Sequence, residues 1–294
     1  MSMAGSSIRA RVPYVPIHKR RKLSLPDGGK IILWVIVNIE NWQPEKPMPR
    51  VVLPPPMGQQ MQPDVPNWAW HEYGMRIGFW RFLDALQSRG LKATLALNGS
   101  ACDVYPQACE AARDAGWEFM GHGYVQTPMH SVENERDTIE KTISAIRKFT
   151  GRPPLGWESP GLTETDVTLD LLAEAGIEYV ANWVLDDQPV RVNTRTGDMT
   201  ALPYPVELND VVMSAVQSQP SDEIWRRGQD QFDRLYQESG ESVRIMSISL
   251  HPFLTGVPHR IKYLEQLLDY IMEHEGVVPM TGIEILEWYR TQSL

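Results

Sequence analysis

Apolar residues run unbroken from 31 to 37, a stretch of strand length rich in β-branched side chains that follows the turn signal Asp27-Gly28-Gly29. A run with no polar alternation predicts a strand buried on both faces. Beyond it the pattern alternates between helical and strand periods. Residues 79–86 read as a helix ending at Gly90 and 93–97 as a strand; a helix over 104–115 stops at Gly116, and the strand 117–120 runs into Gly121-His122. Ser131 is placed as the cap of a helix that carries Ile139, Ile143 and Ile146 on one face and has Gly151 after its end. Strands at 155–157, 178–181 and 243–250 then alternate with helices at 165–175, 224–236, 260–273 and 283–289. Alternation of this kind predicts an α/β fold with a mostly parallel sheet, and so many repeats in one chain favour a closed or nearly closed barrel.

The periodic pattern lapses between Gln43 and Gln62, where six prolines stand among polar residues and methionines. A loop this long inside a compact domain usually forms a lid or a binding wall. No linker and no tandem repeat divides the rest, so residues 1–28 are read as an N-terminal arm and 29–294 as a single catalytic domain. At 294 residues, 42% hydrophobic and 22% charged, the chain can bury a large core. Its balance of 28 basic against 37 acidic residues, a net charge of -9, argues against nucleic acid or an anionic membrane as the main partner. Cys102 and Cys109 have the spacing of neither a redox pair nor a zinc clip and are expected to be free thiols. With no signal-like or spanning apolar stretch, the expectation is a cytoplasmic protein. The basic run from His18 to Lys22 is read as a solvated arm that wraps the domain or a neighbouring subunit, which suits a homo-oligomer.

In a parallel α/β barrel, chemistry is built where strands end. Strand one delivers Asn38, Glu40 and Asn41; the strand at 117 delivers His122, that at 155 Glu158, and that at 243 His251. A carboxylate facing a histidine supplies the base and the acid of a hydrolysis. Glu40 is the natural base and His251 the natural acid, the plainer alternatives being a solvated loop carboxylate and a capping histidine. His122 sits between Gly121 and Gly123, which let backbone approach a ligand closely, unless it is a satisfied structural histidine. His71, His130 and His259 are weaker candidates, and the aromatics from Trp68 to Tyr73 read as core or lid.

The order of these motifs resembles that of the polysaccharide deacetylase (NodB-homology) family, from about Leu33 to the final helix. That family's T-F-D-D-G motif, which supplies a base and a metal-binding aspartate, is matched by Asn38-Ile39-Glu40-Asn41. Its paired-histidine motif is matched by His122, with Gln126 or Thr127 where the second metal histidine would stand. Its arginine-proline turn is matched by Trp157-Glu158-Ser159-Pro160-Gly161, with Glu158 in place of the arginine, and its last histidine motif by Leu250-His251-Pro252. The segments 64–68, 72–74, 182–189 and 256–260 look like those of deacetylase-fold allantoinases and cyclic-imide hydrolases.

The resemblance implies a distorted or incomplete (β/α) barrel of the NodB type. It also implies a hydrolase of non-peptide C–N bonds that acts on a small cyclic amide, imide or ureide. Glu40 and His251 would be catalytic, while Asn41, His122, Trp157, Glu158 and Arg260 would bind the small-molecule substrate. No cofactor is expected; if a divalent metal such as zinc is held, its ligands are Glu40, His122 and Glu158. Two other readings stay open, a metal-dependent N-deacetylase of acetylated sugars and an inactive barrel kept as a binding or assembly module.

Overall fold

The computed structural model describes residues 8–59 and 61–292. Strand β1 (Ile31–Ile39) is buried along its whole length, as an unbroken apolar run requires. It lies between β2 (Thr94–Leu97) and β8 (Arg244–Leu250), parallel to both, and β9 (Val277–Pro279) pairs with its first residues. The sheet extends through β3 (Glu118–Gly121), β4 (Gly156–Trp157) and β5 (Tyr179–Val180) to a hairpin of β6 (Val190–Thr194) and β7 (Gly197–Ala201). Of its pairings among the described residues, only β6 with β7 is antiparallel.

The two ends of this sheet meet without a full ladder. The chain leaving β7 returns beside β8, where Ser249 N–H donates to Leu208 O at 3.0 Å and a single parallel bridge joins Asn209 to Ser249. The barrel is therefore incomplete.

Side chains of β1 divide by parity, because successive residues of a strand point to opposite faces. Ile31, Leu33, Val35, Val37 and Ile39 pack outward against helices Phe79–Gln87, Glu223–Glu238 and Pro258–Met272. Ile32, Trp34 and Ile36 point into the barrel with Tyr179, Leu202, Tyr204 and Ile245. Continued upward, the inward series reaches Asn38 and then Glu40.

Some elements were hidden from the sequence pattern. The Trp68 to Tyr73 segment, read as core or lid, belongs to the helix Val65–Tyr73, which runs through a wider turn at Gly74–Gly78 into Phe79–Gln87. Its glycines have a packing reason: a Cβ on Gly74 would lie 2.4 Å from Phe253 N, and one on Gly78 2.1 Å from Pro252 O. The helix thus presses directly on the backbone that follows His251. The hairpin β6–β7 and the short β9 were also missed. Ser131 is not a helix cap; the helix Glu135–Thr150 starts from Asn134, whose side chain accepts from Asp137 N–H, and ends as expected at Gly151 with φ 83°. Both cysteines are free and buried. Among the described residues, no helix is long and apolar enough to cross a membrane.

From Ile8 onward the arm lies against its own domain. Arg11 forms a two-pronged ion pair with Asp170 at 3.0 and 2.8 Å, Arg20 pairs with Asp186, and Leu23 and Leu25 enter the inner core.

The floor of the barrel is polar. Glu118, the first residue of β3, accepts from Thr94 Oγ1 (2.8 Å), Tyr179 OH (2.7 Å) and Ile283 N–H (3.1 Å), while Thr94 Oγ1 accepts from Trp34 Nε1 and Gly282 N–H. The carboxylate therefore sits at the N-terminus of helix Gly282–Thr291, where free N–H groups and the helix dipole favour a negative charge. Burial pushes the Glu118 carboxyl up, and these donors pull it back only in part. Glu118→Ala leaves several buried donors without an acceptor and is expected to lower stability by about 3 kcal/mol in urea unfolding. A loss within ~0.5 kcal/mol, the size of an ordinary surface change, would show that the floor does not depend on this group.

Candidate active site

Glu40 stands one step past the end of β1, inward by parity and buried. Both oxygens are engaged: Oε2 accepts from Trp42 Nε1 at 2.6 Å and Oε1 from Gln126 Nε2 at 2.8 Å. Two imidazoles converge on the same oxygen, His122 Nε2 at 3.8 Å and His251 Nε2 at 3.6 Å from Oε1. Burial alone would raise the Glu40 carboxyl, but adjoining His122 and the charges of His251 and His122 bring it down to about 2.

Each histidine is fixed through its other nitrogen. His122 Nδ1 lies 2.8 Å from the backbone oxygen of Glu158; a carbonyl only accepts, so Nδ1 carries the proton and Nε2 faces Glu40. That Nε2 finds no hydrogen-bond partner among the described residues. His251 Nδ1 lies 2.7 Å from Asp210 Oδ1, while Asp210 Oδ2 accepts from His251 N–H (2.8 Å) and Thr255 Oγ1 (2.7 Å). Burial pushes both imidazoles down, yet both end above the ordinary histidine value. Glu158 and Glu40 raise His122, and Asp210 with Glu40 and Glu158 raises His251.

Glu158 completes the group from the turn after β4. That turn is braced by Asn182, whose Oδ1 accepts from Ser159 N–H at 2.6 Å and whose Nδ2 donates to Glu164 Oε1 at 2.6 Å. Burial pushes the Glu158 carboxyl up against the pull of His122, His251 and Tyr204. Tyr204 hydrogen-bonds Ser249 at 2.7 Å, and Ser249 accepts from Asn38 Nδ2 at 3.0 Å, so the last interior residue below Glu40 is also tied in. Glu40, His122, Glu158 and His251 all line one cavity of about 800 Å³, walled by Tyr204, Asn209 and the lid residues Lys46 and Arg50.

Three residues assigned to substrate binding do not face this cavity. Asn41 donates its Nδ2 to Ser100 Oγ at 2.9 Å and borders a neighbouring cavity of about 670 Å³ on the far side of Trp42. Trp157 is fully buried, bonded to Ser159 Oγ. Its ring is what Gly121 makes room for, since a Cβ there would meet it at 2.6 Å, and Gly123 makes room for Pro160. The glycines around His122 therefore serve packing rather than a ligand. Arg260 donates to Leu254 O at 3.3 Å, behind the His251 loop.

The proposed metal set also fails geometrically. Glu158 Oε1 lies 3.7 Å from His122 Nδ1, the protonated nitrogen, whereas Glu40 faces Nε2, so no single ion can bridge the three. Among the described residues, no group of three His, Cys, Asp or Glu side chains is arranged to hold a metal ion. Gln126, where the second family histidine would stand, offers an amide and spends its NH₂ on Glu40. An amide in this place makes a poor zinc donor set.

One buried group was missed and another was taken only as a weaker candidate. Asp210 lies in a segment with no strand signal, just before the helical turn Val211–Val216. His71, ranked low, is buried against Trp42 with ring centroids 4.4 Å apart, and burial lowers it to about 4.

Residues 71–180 match the model of the polysaccharide deacetylase family. The chain is 28% identical to a Schizosaccharomyces pombe protein assigned to the polysaccharide deacetylases, over 74% of this chain and 73% of that one. It is 24% identical to a peptidoglycan deacetylase of Helicobacter pylori, over 72% and 83%. Among solved structures, the Puue allantoinase superposes with a TM-score of 0.82 at 24% identity, covering 93% of this chain and 95% of that one. These findings bear out the family resemblance read from the motif order and the α/β fold of deacetylase type that it implies.

Gln126→His is expected to supply the missing donor and to raise zinc affinity at least about tenfold over the unmodified protein, measured by competition with a chelating dye. Unchanged affinity would show that something other than this position keeps zinc out.

Proposed function

We propose that this chain of the polysaccharide deacetylase family hydrolyses a C–N bond in a small cyclic amide, imide or ureide with water activated by Glu40. What supports the reading is the meeting of Glu40 Oε1 with the Nε2 atoms of two imidazoles whose Nδ1 atoms are pinned elsewhere.

A water between Glu40 and a bound carbonyl carbon loses its proton to the carboxylate as its oxygen attacks. The developing oxyanion meets His122, which when protonated presents Nε2–H into the cavity. The C–N bond breaks as His251 passes its Nε2 proton to the leaving nitrogen, with Asp210 holding the ring in place. A carboxyl held near 2 is a feeble base at rest, but much of that depression comes from the imidazolium charges. As His251 gives up its proton, Glu40 gains proton affinity, so the acid and base steps reinforce one another.

The substrate is a small molecule; the net charge of -9 argues against nucleic acid. The Helicobacter pylori relative's name favours a second reading, metal-dependent deacetylation of an acetylated sugar. Gln126 and the split placement of Glu40 and Glu158 about His122 weigh against it.

In a panel of hydantoins, imides and allantoin-like ureides, Glu40→Gln and His251→Ala are each expected to cut turnover at least about 100-fold. Release of acetate from chito-oligosaccharides by the zinc-loaded protein, with no turnover of the panel, would overturn the proposal. His251 acts when protonated, so kcat/KM should fall as pH rises through its elevated pKa. Because Glu40 stays ionised down to about 2, the same constant should hold level on the acid side while the fold survives. Asp210→Asn removes a carboxylate that raises His251 and should move the basic limb to lower pH.

A further inference from the structure

The buried and half-buried arginines of this protein are almost all spoken for. Arg11 and Arg20 pair with aspartates, Arg89 with Asp269, Arg227 with Glu223, and Arg81, Arg244 and Arg260 donate to backbone oxygens. Arg50 is the exception: half-buried in the wall of the catalytic cavity, it has no hydrogen bond or ion pair among the described residues. Lys46, on the same wall, has none either.

The lid does not leave this position loose. Met48 packs into the Trp42–Phe253 cluster on one side of Arg50, and Val52 and Leu53 N–H donate to Asn67 Oδ1 at 2.8 and 3.0 Å on the other. Asn67 is itself buried and bonded back to Leu53 O and Asp64. A guanidinium tethered between two anchors in a cavity wall is a planar fork of donors without an acceptor. The cavity's own carboxylates do not serve it, for Glu40 faces His122 and His251 and Glu158 faces His122.

We propose that Arg50, with Lys46 beside it, binds a carboxylate that the substrate carries away from the scissile bond. The enzyme then prefers anionic cyclic amides or ureides over neutral ones. A carboxylate fits the guanidinium fork with two parallel hydrogen bonds, and the lysine adds a second positive charge. This rests on the hydrolase reading above for the rest of the substrate, and the test separates the two.

Calorimetric binding of hydantoin-5-acetic acid is compared with its methyl ester and with the matching phosphonate, in the unmodified protein and in Arg50→Gln and Arg50→Lys. The acid is expected to bind at least about tenfold tighter than the ester, a charge-assisted pair against none. Arg50→Gln should erase that preference while leaving ester binding unchanged, and Arg50→Lys should restore part of it. Equal binding of acid and ester, no binding of either, or a preference that survives Arg50→Gln overturns the proposal. A phosphonate bound more than about tenfold tighter than the acid would transfer the site to phosphate esters and overturn the carboxylate assignment. Glu40→Gln should keep the acid preference while turnover is lost. A protein that shows the preference but turns over no compound of the panel leaves Arg50 as a carboxylate site and sinks the hydrolase reading instead.

Discussion

A carboxylate taken out of water has to be given its solvation back by the protein, and Glu40 is where this chain meets that requirement most severely. Two N–H donors hold its oxygens, and two imidazoles supply the positive charge that keeps it ionised. These four groups come from three separate stretches of chain. Trp42 follows β1, Gln126 and His122 follow β3, and His251 follows β8. The carboxylate can stay charged only if all three strand ends are brought to the same point, so the electrostatics of one side chain and the closure of the barrel's upper rim are the same constraint.

The outer parts of the fold serve that constraint. The long helix from Val65 to Gln87 lies close enough to the backbone after β8 to carry glycine at both contacts, and this fixes the loop that bears His251. Its first turn also holds the proline-rich lid through Asn67. Phe253, Trp70, His71 and Trp42 pack ring against ring between helix and site, and Trp42 borders both the catalytic cavity and its neighbour.

What the sequence made legible follows from where its periodicity was strong. The apolar run of β1 announced the central strand, and the parity of that run places Glu40 inward for the same reason it places Ile36 inward. His122, Glu158 and His251 were found because each directly follows a strand that could be recognised. Asn41, Trp157 and Arg260 were misjudged because adjacency along the chain does not give the direction of a side chain where a strand is two residues long or has already turned. Asp210 escaped because it reaches His251 across 41 positions of chain from a segment with neither strand nor helix period. The hairpin β6–β7 does alternate, Val-Arg-Val-Asn-Thr against Gly-Asp-Met-Thr-Ala, but each strand is only five residues long with two apolar side chains, so the signal was passed over.

The acidic floor sets an order of events during synthesis. Thr94 and Glu118 are made long before the backbone amides that complete their hydrogen bonding, Gly282 coming 188 positions after Thr94 and Ile283 165 after Glu118. While the ribosome is still adding the residues between, Thr94 and Tyr179 can serve the acid at the base of the barrel, but its place facing Ile283 N–H is left to water. The helix Gly282–Thr291 therefore does for this buried acid what water does before it docks, and the base of the barrel is sealed by a segment far along the chain from the strands it closes.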